Sequence, residues 1–190
     1  MALTPPPPAA IVIAGGRSTR FGSDKLLAEV AGRTLLERTM EAVGACATVV
    51  LVSAATETVP RGVVTVSEYP RWGGPCAAIA AGVAALPGEL DETLIVSADL
   101  ARPAEAVAAL HGIAAGVLAD EGGNAQWLLA RVPLAALRSR LAELDASGGA
   151  GGLPARALIG HLGLPIVPAH RDAVADIDEP HDLERLKERP

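Results

Sequence analysis

The chain has 190 residues, half of them hydrophobic but only 2% aromatic, with a formal net charge of -6. That length fits one domain with a sizeable core, filled here by alanine, valine and leucine rather than by rings. The acidic balance argues against the nucleic-acid binders, which present net basic surface to phosphate, and no run reaches the ~20 apolar residues of a membrane span. Cys46 and Cys76 lack metal or redox spacing, so each reads as a small buried apolar residue, and neither suggests secretion. Met1 to Ala10 carries four prolines without a basic start or an apolar core of its own. Residues 1–8 therefore read as a loose Pro-rich leader rather than a signal peptide, and 9–190 as one domain of a cytoplasmic protein.

Ala9-Ala10-Ile11-Val12-Ile13 has the length and branching of a buried strand, so Gly15 and Gly16 fall where the strand ends and the chain turns. Glycines there leave backbone N–H groups pointing into one concavity that an anion can approach closely. Arg17, Arg20 and Lys25 add three cations to the same loop, the arginines as planar forks for two oxygens and the lysine as a point charge. The loop reads as a polyphosphate cradle. It is not a Walker A loop, because Lys25 lies between Asp24 and Leu26 instead of between glycine and a hydroxyl residue. Nor does the spacing of Gly15, Gly16 and Gly22 give the dinucleotide fingerprint.

Further along, Leu26, Leu27, Val30, Leu35, Leu36, Met40 and Val43 recur at helical spacing broken by Gly32, which predicts a short turn and then a longer helix. Thr48–Ser53 and Gly62–Val66 are the next strands. The turn Tyr69 to Pro75 runs into an alanine-rich helix, Cys76 to Gly82, with Pro75 suited to its first position. Thr93–Ser97 is a strand closed by Ala98-Asp99. Strands alternating with helices predict an α/β fold: a single-domain three-layer α/β/α sandwich on a mostly parallel, Rossmann-like sheet. In such sheets ligands bind beyond the carboxyl ends of the strands, so Asp99 can face the phosphate loop with a cation between them, or else cap the helix that begins near Pro103.

Gly116–Ala119 and Gln126–Ala130 pair as a hairpin around Asp120 to Asn124, and Trp127 reads as core. Leu134, Leu137, Leu141 and Leu144 mark one face of an amphipathic helix. Ser147 to Gly152 is the most flexible stretch, a lid or a plain linker. Leu158 to Leu162 is read as helix, and Pro165 to Pro168 as an edge strand, because its prolines exclude a central place. At the end, Asp176-Ile177-Asp178-Glu179-Pro180 offers a second oxygen ligand for a metal, Asp178 ahead of Asp176; Asp178 also suits the N-cap of a helix beginning at Pro180. His111, His161, His170 and His181 have no metal-ligand spacing.

Ala14, Gly15, Gly16, Ser18, Arg20, Gly22, Asp24 and Lys25 meet every defined position of A-G-G-x-S-x-R-x-G-x-D-K, and the chain thereby resembles the molybdenum cofactor guanylyltransferase family of MobA-like NTP transferases. Gly74, Pro75 and Ala77 agree with that family's G-P-L-A-G turn, Gln126 to Ala130 with its Q-P-L-x-A segment, and Asp176 to Leu183 with its N-x-N-T-P-E-D-L ending. The chain departs from the pattern at Cys76, Ala78 and Trp127, at Ala101, where the family's D-x-P has proline, and at Asp176 and Asp178, where aspartate replaces both asparagines. The resemblance implies a magnesium-dependent enzyme that moves GMP from GTP onto the phosphate of molybdopterin. It implies nucleotide contacts at Ala14, Gly15, Gly16, Arg17, Ser18, Arg20, Lys25, Gly74, Pro75 and Asp99. Arg20, Lys25 and Asp99 would be the catalytic residues, and Asp99 and Asp178 the holders of Mg2+. A CTP-using sister activity and a nucleotide-binding module without catalysis are the alternatives.

Overall fold

The computed structural model describes residues 6–15, 25–53 and 59–187. Strand β1 (Ala9–Ile13) is buried at every position. Its apolar run has no polar side because both faces are covered. Ala9, Ile11 and Ile13 enter one hydrophobic cluster while Ala10 and Val12 enter another, as the two-residue period of a strand requires. After a short 3-10 turn (Lys25–Leu27) come β2 (Glu29–Val30) and β3 (Arg33–Thr34), a separate hairpin turning through Ala31 and Gly32 at φ 52° and 78°. Helix α1 (Leu35–Ala42) starts on a capping box in which Thr34 and Glu37 satisfy each other's backbone N–H groups.

The main sheet is completed by β4 (Val49–Val52), β5 (Val64–Val66), β6 (Glu92–Ser97), β7 (Gly116–Ala119), β8 (Ala125–Pro133) and β9 (Ile166–Pro168), in the order β5-β4-β1-β6-β8-β7-β9. Strands β5, β4, β1 and β6 are parallel; β8 runs against both of its neighbours, and β7 pairs parallel with β9. The proline-bearing β9 lies at the edge, as its sequence predicts.

Helices α2 (Gly74–Ala85), α4 (Leu134–Ala146) and α5 (Ala155–Ile159) pack on one face, while α1 and α3 (Pro103–His111) pack on the other. The result is a three-layer α/β/α sandwich. Small side chains set the spacing of the first layer: a Cβ on Gly82 would lie 2.4 Å from Ile11 Cγ2, so α2 meets β1 almost backbone to side chain. Helix α5 ends at Ile159 instead of running on to Leu162, since Gly160 closes it and the chain turns through Gly163 at φ 65°.

The glycine stretch 147–152 is tied down, contrary to its composition. Gly149 N–H donates to the Leu144 carbonyl at 2.8 Å, Gly152 N–H to the Gly73 carbonyl at 2.7 Å, and Ala150 is buried. Positive φ at Gly148, Gly149 and Gly152 makes those glycines necessary, and the segment buttresses the turn before α2. The chain closes with α6 (Arg171–Val174) and α7 (Pro180–Lys187). No helix among the described residues is long and apolar enough to cross a membrane.

Candidate active site

The carboxyl ends of the parallel strands converge in one region. Ala98 N–H donates to the Ile13 carbonyl at 3.0 Å and Ala14 N–H to the Val52 carbonyl at 2.9 Å, so β6, β1 and β4 end side by side. Asp99 follows β6 directly. The C-terminal tail is strapped to it: Ile177 N–H donates to the Asp99 carbonyl and Ala101 N–H to the Ala175 carbonyl, each at 2.8 Å, with Leu100 and Asp176 paired between them. Residues far apart in sequence thus meet because backbone bonds make 175–177 a short strand beside 99–101.

Lys25 points into this junction. Its Nζ lies 2.6 Å from Asp99 Oδ2 and 3.4 Å from Asp178 Oδ1, and donates to the Ile177 carbonyl at 3.1 Å. Ser97 Oγ hydrogen-bonds the other Asp99 oxygen and fixes its orientation. Burial of Lys25 would by itself lower its pKa; attraction and hydrogen bonding to Asp99, then Asp178, outweigh that and leave it raised. Asp176 is the reverse case. Protein packed round its carboxyl, then the negative charges of Asp99 and Asp178, push it up to about 7, although part of the residue still meets solvent. Among the described residues, three carboxylates therefore share one ammonium.

That surplus of hard oxygen donors suits a divalent cation such as magnesium. The capping alternative for Asp178 takes another form: Asp182, in the first turn of α7, accepts from the N–H groups of Asp178 and Glu179, leaving the Asp178 carboxylate to Lys25.

At the carboxyl end of β1 is a cavity of about 520 Å³ lined by Ile13, Gly15, Glu68, Trp72, Gly74, Pro75 and Ala78 among others. Gly74 sits at φ +85°, where a side chain would be strained. Pro75 is the second residue of α2 rather than the first. Ala14 spends its N–H in the sheet, whereas Gly15 borders the cavity, 3.8 Å from Glu68 Oε1 at its would-be Cβ. Gly16, Arg17, Ser18, Arg20, Gly22 and Asp24 lie outside the described residues. Trp127 packs against the hydrophobic cluster under α2.

Glu68 is the residue that sequence reasoning passed over. It is only 6% exposed, and its Oε2 is buried without a hydrogen-bond partner among the described residues. The signal was present: like Asp99, it is an acid just beyond the carboxyl end of a parallel strand.

A family model described as the MobA-like NTP transferase domain matches residues 10–165. The chain belongs to that family. As a MobA-like NTP transferase it shares its fold with molybdopterin-guanine dinucleotide biosynthesis protein A from Archaeoglobus fulgidus, at 18% identity and TM-score 0.64 over 95% of this chain and 97% of that one. It is as similar to 2-C-methyl-D-erythritol 4-phosphate cytidylyltransferase from Thermus thermophilus, at 19% identity and TM-score 0.63 over 95% and 98%. 4-Diphosphocytidyl-2C-methyl-D-erythritol synthase from Anaerococcus prevotii gives 15% identity and TM-score 0.68 over 96% and 95%. No curated protein matches the sequence. Membership of that family makes nucleotidyl transfer the activity class, while the solved structures share the fold and leave both base and acceptor open.

Proposed function

We propose that this MobA-like NTP transferase is a cytoplasmic, magnesium-dependent guanylyltransferase that moves GMP from GTP onto the phosphate of molybdopterin with release of pyrophosphate. The observation that carries the reading is the convergence of Lys25, Asp99 and Asp178 on one point at the carboxyl end of the sheet. The triphosphate lies over the glycine loop that Gly15 opens and Lys25 closes, with Gly16, Arg17, Ser18 and Arg20 between them. Asp99 and Asp178 would hold Mg2+, which supplies positive charge against the phosphate oxygens when bound.

An ionised oxygen of the acceptor phosphate attacks the α-phosphorus in line, a new P–O bond forms, and the bond to the β-phosphate breaks as pyrophosphate leaves. No covalent nucleophile is needed, because the attacking oxygen already carries the charge. Lys25 and Arg20 stabilise charge on the phosphoryl oxygens, and Ser97 keeps the Asp99 carboxylate oriented. Binding of triphosphate draws Lys25 from its carboxylates towards phosphate.

Glu68 supports guanine as the base. A buried carboxylate with an unpartnered oxygen can accept from both N1–H and the 2-amino group of guanine, whereas cytosine offers it a single amino group. Gly74 and Pro75 border the same cavity and would lie against the base. The acceptor rests on the family resemblance alone. Pyrophosphate release, followed with GTP and CTP side by side and molybdopterin as acceptor, tests the proposal: GTP should turn over faster, and Glu68→Gln should erase the preference while leaving CTP turnover unchanged. Faster turnover of CTP would assign the sister activity. Nucleotide binding without metal-dependent pyrophosphate release would make the chain a binding module.

A further inference from the structure

The chain has two Trp, one Tyr and one Phe, and its core is filled by alanine, valine and leucine, so packing does not call for rings. Trp72 nevertheless lines the cavity that holds Glu68, and it is 44% exposed. The backbone makes that choice of residue costly. Gly73 N–H donates to the Pro70 carbonyl at 2.8 Å, closing a β-turn over residues 70–73 whose third residue, Trp72, lies at φ 63°. Such a place favours glycine, because a Cβ in left-handed backbone crowds the peptide that follows. Left-handed backbone at a bulky residue persists only where the surroundings hold it, and such outliers gather at ligand clamps. Arg71 lies over the indole, 5.3 Å from its centroid, and is not among the residues that line the cavity. An exposed cation–π contact stabilises too weakly to offset the strain, but it fixes the tilt of the ring.

The rest of the lining says what the ring is for. Ile13, Pro75, Ala78 and Leu128 are apolar, while Glu68 is buried with Oε2 unpartnered. A planar heteroaromatic ligand with N–H groups on its edge suits all three features: its face meets the indole, its body meets aliphatic carbon, and its edge meets the carboxylate. An aliphatic ligand would leave the Glu68 oxygen unpaired, and a phosphate would bring like charge to it.

We infer that Trp72 stacks on the base of the bound nucleotide and holds purine and pyrimidine alike, while Glu68 reads the edge. Every base has a π-face, so stacking tolerates either one, whereas the hydrogen-bonding edges of guanine and cytosine differ. This stacking rests on the nucleotidyl-transfer reading above, and its test separates the two. In the full chain labelled with 15N-tryptophan, two indole N–H signals are expected, and the one lost in Trp72→Gly is that of Trp72. GTP and CTP, each with magnesium, should move the Trp72 signal saturably and further than that of Trp127; tripolyphosphate with magnesium, which has no base, should leave it in place. Trp72→Gly, which suits the backbone there, should bind both nucleotides roughly tenfold more weakly, and Trp72→Phe, which keeps a ring, should bind them more tightly than Trp72→Gly. Glu68→Gln should weaken GTP alone. Movement of Trp72 without pyrophosphate release would uphold the stacking and fail the transfer reading. A Trp72 signal that stays still with both nucleotides, even while pyrophosphate is released, overturns the inference, as does an equal shift with tripolyphosphate or a Trp72→Phe protein that binds no better than Trp72→Gly.

Discussion

Two charged clusters lie close to one short segment, 99–102, and they differ in balance. Around Lys25 the described residues place more acid than base, with Asp99, Asp176 and Asp178 near one ammonium. Around Arg38 acids and bases balance, with Glu41, Glu105 and Asp172 beside Arg33, Arg38 and Arg102, and a single buried guanidinium nitrogen of Arg38 makes no hydrogen bond among the described residues. A third charged group shows what a site without need of a ligand looks like. Arg131 donates to Glu92 at 2.5 Å and to the carbonyls of Ile113 and His111 at 2.8 and 3.3 Å, so its fork is satisfied by the chain itself. The surplus of acid suits the first cluster to a cation, while the balanced second cluster and the self-satisfied Arg131 carry no such surplus.

The strongest way to sharpen this comparison is to remove what the two clusters share. Leu100 is fully buried and its backbone pairs with Asp176, while Asp99 before it and Arg102 two residues after it belong to different clusters. Leu100→Ala should cost about 2–5 kcal/mol, read as a lower denaturant midpoint. Below that midpoint, pyrophosphate release should weaken too, because Asp99 is held through this segment; unchanged release would show that the segment is not the frame of the first cluster. The next effect belongs to the first cluster alone. Lys25→Ala and Asp99→Ala should each slow pyrophosphate release by about 10²-fold or more, roughly 3 kcal/mol of transition-state stabilisation. Arg131→Ala, at the self-satisfied group, should leave release unchanged, and a comparable loss there would break the distinction.

Much of this arrangement is legible in the sequence, and the reasons differ by element. β1 and β6 announce themselves by unbroken apolar runs because both faces of a central parallel strand are covered. The pairing of Lys25 with Asp99 follows from the rule that ligands gather at strand carboxyl ends. Asp178 needs the backbone bonds between 99–101 and 175–177, which no local pattern encodes. The glycine stretch 147–152 misleads because composition reports freedom in isolation, whereas Gly152 is held by the Gly73 carbonyl. Glu68 and Arg38 were passed over for one reason: what marks each is an atom buried without a partner, and partners are a property of the folded chain.

Smaller effects test each cluster's electrostatics. Asp176, raised to about 7, keeps its proton in the folded chain at pH values where the unfolded chain, with an ordinary carboxyl near ~4, has lost it. The folded state binds more protons across that window, so stability falls as pH rises from about 4 to about 7 and stays lower above it. In magnesium-free buffer, Asp176→Asn should flatten this decline and melt higher than the parent above pH 7. The shift should be modest because water reaches part of the residue. Thermal melts across pH check it, and a decline as steep as the parent's would mean that the surplus of acid lies elsewhere.

At the second cluster the smallest change is Arg33→Ala. Both Arg33 and Glu41 are more than half exposed, at 58% and 62% of their side chains, so loss of their ion pair should cost under about 1 kcal/mol. Its use lies in what it releases. Glu41 lines the same cavity as Arg38, three residues along α1, and without Arg33 its carboxylate is released to pair with the unpartnered nitrogen. The melting temperature should therefore barely move in Arg33→Ala, and Arg38→Ala should cost more stability on that background than in the parent, because only there has Glu41 Arg38 as its partner. An equal cost on both backgrounds would show that Glu41 does not turn to Arg38 when Arg33 is gone.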